Sequence, residues 1–429
     1  MRFDRLEIWM DDTIVLSENC RLCSSSEVTN VLKLTPTPPG DRFVAESTRG
    51  RWRECYPLEL AICEDCGYLH LRHILNPSMS YNDALYHTKI TMGLNDHYVE
   101  YAEELLKRFE FGPRVFVVDL GSNDGTCLKA FKSLGCDVLG VEPNSTIAAE
   151  ANALVPTRNT YFDTRCVDDI IREYGTASII TANYMFANIE DVNTFVTNLA
   201  RLLSEDGILS IQTGYHPDQM KIRMFDYIYH EHFSYFTVKV LRDLLAKVEL
   251  ECIHVSSMDF KGGSIRLIAQ KKQGKRAVAS SVQEYVDKEE DEGFHSLQKY
   301  RDFSDEIERY KMKTLIRVKE LHVAGKRIVG YGASHSTTTL LYHFELGDYL
   351  EYIVDDNVAK HGLYSPGYER KVFPSQMLLE DQPDYVVILA WQYQKPILAR
   401  NCEYLNIGGS FIVPLPEFEI VSGATLENV

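Results

Sequence analysis

Val115-Phe-Val-Val-Asp-Leu-Gly-Ser-Asn-Asp-Gly-Thr126 reads as a strand, a tight turn and the start of a helix. The apolar run Val115–Val118 suits a strand buried on both faces, and Thr126-Cys-Leu-Lys-Ala-Phe131 has a helical pattern. Gly121 and Gly125 let the backbone pass close to a ligand where a Cβ would clash. Asp119 sets a carboxylate beside the turn, which repels a phosphate and suits a cation. A strand, glycine-bearing turn and helix start of this kind form a cradle for a nucleoside that carries a positive group.

The next strand candidate, Asp137-Val-Leu-Gly-Val-Glu142, ends in an acid about twenty residues on, where it can accept hydrogen bonds from ribose hydroxyls. Together these stretches resemble the S-adenosylmethionine site of class I methyltransferases. That resemblance implies cofactor-binding roles for Asp119, Gly121, Ser122, Asn123, Gly125, Glu142 and Asn183.

The chain has 429 residues, enough for two or three domains with separate cores. Its 45% apolar and 25% charged content is that of a globular protein. No stretch approaches the ~18 apolar residues that span a bilayer, and the first residues lack a secretory apolar region, so a cytoplasmic protein without membrane contact is expected. A net charge of −17 argues against a nucleic-acid partner, which would require a basic face. A small-molecule ligand is compatible with it. The sequence leaves the oligomeric state open, a monomer included.

Three regions separate along the chain. Residues 1–80 hold two C-x-x-C pairs and the loop Thr35-Pro-Thr-Pro-Pro-Gly40. Residues 81–272 alternate strand and helix patterns, with strands expected at 114–119, 138–142, 177–182, 208–213, 251–259 and 264–270. Such alternation predicts α/β architecture, a mostly parallel sheet with helices on both faces. Residues 273–429 begin with a basic break, continue as a charged helical stretch over roughly 282–324, and then repeat the strand–turn–helix theme at Lys326-Arg-Ile-Val-Gly-Tyr-Gly-Ala-Ser334. Further strands are expected at 349–356 and 384–390, giving a smaller second α/β domain.

Cys20-Arg-Leu-Cys23 and Cys63-Glu-Asp-Cys66 have the spacing of two metal knuckles. Four thiolates complete a tetrahedral zinc shell and leave no position open for water, so the expected zinc is structural. Cys55 is taken as a core residue, and the other five cysteines carry no spacing signal.

Phe225-Asp-Tyr-Ile-Tyr-His-Glu-His-Phe-Ser-Tyr-Phe236 follows the strand expected at 208–213. In an open α/β sheet, ligands bind beyond the carboxyl ends of the strands, which places this segment beside the cofactor. An imidazole suits proton transfer near neutral pH, a neighbouring carboxylate can orient it, and a tyrosine hydroxyl can donate to a developing oxyanion. A metal site and an aromatic core with satisfied histidines are the alternatives.

Tyr229-His-Glu-His232 with Phe-Ser-Tyr-Phe-Thr237 resembles the signature of sugar C-methyltransferases that act on nucleotide-linked keto sugars. The resemblance extends over nearly the whole chain. It implies zinc ligands at Cys20, Cys23, Cys63 and Cys66, a class I methyltransferase (Rossmann-like) central domain, and a C-terminal Rossmann-like domain that holds the nucleotide diphosphate. By the same resemblance His232 is the base, Tyr229 and Glu231 assist it, and Tyr86 is a second active-site tyrosine. Lys261, Gly262, Gly263, Ser264, Tyr331, Gly332, Ala333 and Asp355 are the implied substrate-binding positions. The chain departs from the family at His87-Thr88-Lys89-Ile90, at Lys261 where histidine usually precedes Gly-Gly-Ser, and at Ser334-His-Ser336. The implied reaction is methylation at C3 of a nucleoside-diphosphate 4-keto-6-deoxy sugar.

Carbon is a poor nucleophile unless it carries a carbanion, and a hydrogen beside a ketone can be removed because the charge delocalises to oxygen. A base near that carbon and donors near that oxygen are therefore what C-methylation requires. The turn at Gly330-Tyr-Gly-Ala333 with Asp355 also admits an NAD(P)-dependent oxidoreductase or epimerase, and the knuckles admit a non-catalytic docking protein.

Overall fold

The computed structural model describes residues 9–10, 13–51, 53–76 and 93–423. The N-terminal part contains β1 (Trp9–Met10), β2 (Ile14–Leu16), β3 (Val28–Thr37), β4 (Tyr56–Cys63), β5 (Leu69–Leu71) and β6 (His73–Leu75). β1, β2 and β6 form a small sheet, while β3, β4 and β5 form three strands of a second, antiparallel sheet. Leu58, Leu60 and Ile62 of β4 are buried in one cluster with residues of the C-terminal part, such as Leu340 and Phe344. Each such side chain contributes roughly 1.5–3 kcal/mol through burial, so this sheet docks rather than standing free.

The central sheet uses β7 (Phe116–Leu120), β8 (Asp137–Val141), β9 (Thr157–Arg158), β10 (Ala177–Asn183), β11 (Leu203–Gly214), β13 (Leu250–Met258) and β14 (Ser264–Lys271); the two-residue β12 (Ser234–Tyr235) lies elsewhere. Its order is β13-β14-β11-β10-β7-β8-β9. Five strands run parallel, and β13 and β14 are antiparallel additions at one edge. Every residue of β7 is buried, as expected for a strand covered on both faces. Helices 94–108 and 126–133 cover one face through Tyr101, Leu105, Leu128 and Phe131. Helices 164–174, 192–202 and 238–246 cover the other. Asp163, Asp191 and Thr237 cap these three helices by accepting first-turn amides, which fixes where each begins.

The charged stretch expected over 282–324 is two helices, Ser280–Asp291 and Leu297–Val323. Gly293, at φ 77°, breaks the run, and Ser296 caps the second helix on the amide of Lys299. The C-terminal sheet comprises β15 (Ile328–Tyr331), β16 (Ile353–Asp355), β17 (Val372–Pro374), β18 (Tyr385–Ile388), β19 (Ser410–Val413) and β20 (Glu419–Ser422) in the order β17-β16-β15-β18-β19-β20. All its pairs are parallel except β19–β20. β16 starts at Ile353, inside the strand expected at 349–356; Tyr349, the first residue of that stretch, closes a 3-10 turn over Gly347–Tyr349. Among the described residues, no helix is long and apolar enough to cross a membrane.

Candidate functional site

Asp119 lies one residue before the end of β7 and is buried. Its Oδ1 accepts from the Thr181 hydroxyl at 2.6 Å and the Asn183 amide at 3.3 Å, both on neighbouring β10. Burial pushes its carboxyl up to about 7. Gly121 (φ 63°) and Gly125 (φ 78°) occupy left-handed backbone, and a Cβ on Gly125 would lie 2.7 Å from Val155 Cγ2. Asp124 accepts from the amide and hydroxyl of Thr126 and starts the helix. Glu142, just past β8, accepts from the amides of Asn123 at 3.0 Å and Asn144 at 2.9 Å, so it ties the turn to the next strand. Ser122 Oγ and Asn183 Oδ1 are buried and have no hydrogen-bond partner among the described residues. Unused polar atoms around a carboxylate and an open-backed turn fit a ligand with hydroxyls and a positive charge, as S-adenosylmethionine has.

The loop from Phe225 to Phe236 is fastened from both sides. From the C-terminal domain, the Trp391 indole N–H donates to buried Asp226 Oδ2 at 3.0 Å, and the Thr339 hydroxyl donates to the Ile228 carbonyl at 2.9 Å. From the N-terminal domain, β5 pairs with β12, with Ser234 opposite His70 and Tyr235 opposite Leu69. The loop thus contributes a strand to the N-terminal sheet. The amide of Leu71 and the guanidinium of Arg21 both donate to the Phe233 carbonyl, at 3.0 Å and 3.1 Å. Arg21 also bonds the carbonyls of Ile189 and Glu190.

Within this loop His232 is half-buried. Its Nδ1 lies 3.2 Å from the Tyr227 carbonyl, which can only accept, so Nδ1 carries the proton. Nε2 then holds the lone pair and accepts from the Tyr229 hydroxyl at 2.8 Å. Burial first, and the charge of Lys261 second, push His232 down to about 3 and keep it neutral. Glu231 is buried and its Oε2 has no partner among the described residues. Tyr86 lies outside the described residues.

Lys261 adopts φ 52°, ψ 40°, between β13 and β14. Its ammonium sits 4.2 Å from the Tyr184 ring centroid. Gly262 packs on Met224 and Gly263 on Asp218, where a Cβ would come within 2.0 Å and 2.9 Å respectively. Ser264 donates to the Phe260 carbonyl and closes the turn. The turn therefore joins the loop-bearing side of the site to the ends of β10 and β11. Left-handed backbone at Asn123, Tyr184 and Lys261 marks the same edge of the sheet, and such conformations, at ~1–3 kcal/mol each, persist where the surroundings enforce them.

In the C-terminal turn, Tyr331 donates to Asp356 Oδ1 at 2.9 Å, and Gly332 (φ 110°) packs on Ala390. The two oxygens of Asp355 accept from the amides of Ala333 at 2.6 Å and Asn357 at 2.7 Å. Lys360 bridges the Ala333 carbonyl to Asp41 of the N-terminal domain. His335, the first residue of the following helix, places its ring 5.3 Å from that of Tyr229.

The sulfurs of Cys20, Cys23, Cys63 and Cys66 lie within 4.8 Å of one another, with Cys20–Cys66 and Cys23–Cys63 at 3.6 Å. Tetrahedral zinc at ~2.3 Å from each sulfur would hold them roughly 3.8 Å apart, so the four residues fit the ion. The knuckle docks on the central domain: Asn193 donates to the carbonyls of Arg21 and Leu22, and Lys247 donates to that of Leu22.

Several residues of this region carried no expectation. Thr181 secures Asp119. His97, on helix 94–108, donates from Nε2 to Gln212 Oε1 at 2.8 Å, at the end of β11. Neither had a motif around it. Asp226 and His335 stand inside quoted motifs and Trp391 follows the strand expected at 384–390, but only the tertiary contacts show that these segments meet.

Three families match consecutive parts of the chain: a zinc binding domain over residues 20–81, a methyltransferase domain over 95–255 and a C-methyltransferase C-terminal domain over 259–416. The C-methyltransferase NovU of Streptomyces niveus is 28% identical over 415 residues, covering 96% of this chain and 99% of that protein. Among solved structures, the complex of the Haloferax volcanii Trm112 methyltransferase activator with a methyltransferase aligns at 15% identity and TM-score 0.34, covering 42% of this chain and 92% of that one. The magnesium protoporphyrin IX methyltransferase of Synechocystis PCC 6803 aligns at 13% identity and TM-score 0.30, covering 41% and 76%. The full-length match leaves the oxidoreductase and docking-protein alternatives without support. The chain is thus an S-adenosylmethionine-dependent C-methyltransferase, with a class I methyltransferase core between a four-cysteine zinc-binding domain and a C-terminal α/β domain.

Proposed function

We propose that the methyl acceptor is a nucleoside-diphosphate 4-keto-6-deoxy sugar, methylated at C3 after base-catalysed formation of its enolate. The three working units are residues 1–80, 81–272 and 273–429. The observation that carries the reading is the Tyr229–His232 pair. A neutral imidazole with Nδ1–H committed to a carbonyl and Nε2 facing a tyrosine hydroxyl is a base with a fixed tautomer. O- and N-methylation use an existing lone pair and need no enolate to be stabilised; carbon needs both the base and a donor to the developing oxyanion.

S-adenosylmethionine, when bound by Asp119, Glu142 and the 121–125 turn, supplies an electrophilic methyl group. His232 Nε2 removes the proton beside the ketone. Tyr229, released from Nε2, turns its O–H toward the ketone oxygen, and Tyr86 serves as a second donor. Glu231 orients the loop. The turns 261–264 and 331–333, with Asp355, receive the sugar nucleotide. Regiochemistry and sugar class rest on the Tyr229–Thr237 motif resemblance.

The test is His232→Asn assayed against a panel of keto-sugar nucleotides. Turnover should fall at least ~100-fold, the scale of losing a general base, while S-adenosylhomocysteine still binds. Wild-type turnover in that variant would remove His232 from the mechanism. Wild-type enzyme inert toward every keto sugar would remove the substrate class.

A further inference from the structure

We propose that Lys261 is a catalytic residue whose ammonium pairs with the oxyanion that forms on the substrate's ketone oxygen when His232 takes the neighbouring carbon-bound proton. This rests on the enolate reading above and adds the charge which that reading lacks. In the step concerned, the C–H bond breaks and its proton goes to His232 Nε2. The electron pair forms a carbon–carbon double bond, and the carbonyl π pair moves onto oxygen. A full negative charge thus appears on one oxygen in a largely buried site. Tyr229 has a single O–H, and in the resting site it is spent on Nε2. A hydroxyl can donate one hydrogen bond but cannot neutralise a charge.

Lys261 is placed to do so. Its ammonium lies against the Tyr184 ring, one residue beyond Asn183, which bonds Asp119. Its charge also acts on His232. The turn that carries it packs through Gly262 on Met224, the residue before the loop of Tyr229 and His232, so Lys261 stands where the cofactor strand and that loop meet. The backbone is built to hold it there. A left-handed lysine precedes two glycines at φ 75° and 116°, each packed so tightly that a side chain would clash. Gln219 donates to the Lys261 carbonyl at 3.2 Å and ties the turn to the helix before the loop.

The electrostatics are self-consistent. In the resting site the positive charge of Lys261 opposes protonation of His232. Once the oxyanion forms, the two charges offset each other, and His232 can keep the proton. The cost of protonation is thus removed only as the enolate develops, which is selective stabilisation of the transition state. Around His232 the other facing groups are Tyr227, Tyr235 and Tyr229, with His335 paired to Asp41 at 3.9 Å from the C-terminal side.

The test reads proton exchange and not methylation. Full-length wild-type protein, Lys261→Met and Lys261→Arg are each saturated with S-adenosylhomocysteine. They are then incubated in D2O with a nucleoside-diphosphate 4-keto-6-deoxy sugar, and deuterium uptake beside the ketone is followed by NMR. Lys261→Met should exchange at least ~100-fold more slowly, the scale of losing an oxyanion partner, and Lys261→Arg should recover most of the rate. The acid limb of the Lys261→Met rate profile should also move to higher pH, because His232 loses a neighbouring positive charge. Wild-type exchange in Lys261→Met, or Lys261→Arg as slow as Lys261→Met, overturns the proposal. If Lys261→Met fails to bind S-adenosylhomocysteine, Lys261→Gln is compared with Lys261→Arg on the same terms. A wild-type protein that exchanges no keto sugar instead refutes the enolate reading, so the two failures are distinguishable.

Discussion

Asp119 offers a test that separates a cation-binding carboxylate from an ordinary buried acid. Burial pushes its carboxyl up to about 7, and the bonds from Thr181 and Asn183 offset that only in part. At pH 7 about half the free protein carries the proton. If the positively charged part of S-adenosylmethionine requires the carboxylate, the apparent Kd scales as 1 + 10^(7 − pH). Binding should then weaken about sixteenfold between pH 7 and pH 5.5. The direction follows from the sign of the shift: a carboxyl raised in the free protein must lose its proton before it can pair with a cation. Over this range the ligand's own ammonium stays protonated and does not contribute. Calorimetry in two buffers of different ionisation enthalpy should count about 0.5 proton released per ligand at pH 7 and about 0.9 at pH 6. Glu142 is also raised by burial, so Asp119→Asn supplies the reference. That variant should bind more weakly and lose most of the pH dependence. A wild-type affinity flat from pH 7 to 5.5, with no proton release, would refute the pairing.

The zinc knuckle and the loop anchor make separate predictions. Cys63→Ser should lower zinc content, measured by elemental analysis, and folding yield together, because structural zinc binding contributes on the order of 10 kcal/mol to such domains; equal stability with and without metal would contradict this. Trp391→Phe removes the donor to Asp226 Oδ2 while keeping the aromatic volume. It should cost about 1–3 kcal/mol in urea unfolding and slow turnover without changing S-adenosylhomocysteine affinity; unchanged stability would show that the bond is dispensable.

The central fold was legible because its signals are local. The run Val115–Val118, the glycines at 121 and 125 and the acid at 142 each follow from backbone geometry within one strand–turn–helix–strand unit. The strands expected at 251–259 and 264–270 form, but that they run antiparallel at the sheet edge is a tertiary fact. The charge pattern over 282–324 is continuous and predicts one helical stretch; Gly293 interrupts it without altering that pattern. The knuckles were legible from spacing alone, and their sulfurs converge. What spacing does not carry is contact across more than a hundred residues. Asp226 with Trp391, Ile228 with Thr339, and Phe233 with Arg21 are each single hydrogen bonds between segments with no shared pattern. His97 and Gln212 are likewise paired by the sheet and not by sequence.

Those long-range bonds explain why three domains surround one reaction. The end of a parallel sheet positions a cofactor well, because strands hold it rigidly, but residues 228–233, which carry the proposed base, lie in no helix or strand. Here both neighbours supply it. The N-terminal sheet takes Ser234 and Tyr235 as a strand and holds Phe233 through Arg21, next to a metal-knit knuckle. The C-terminal domain holds Asp226 and Ile228 from the opposite side. Tyr229 and His232 lie between these two clamps, and the tautomer of His232 depends on the Tyr227 carbonyl, one residue before Ile228. Loosening either clamp lets that carbonyl move, and with it the proton that keeps Nε2 available. The zinc-binding domain thus bears on the proposed base through a β-ladder.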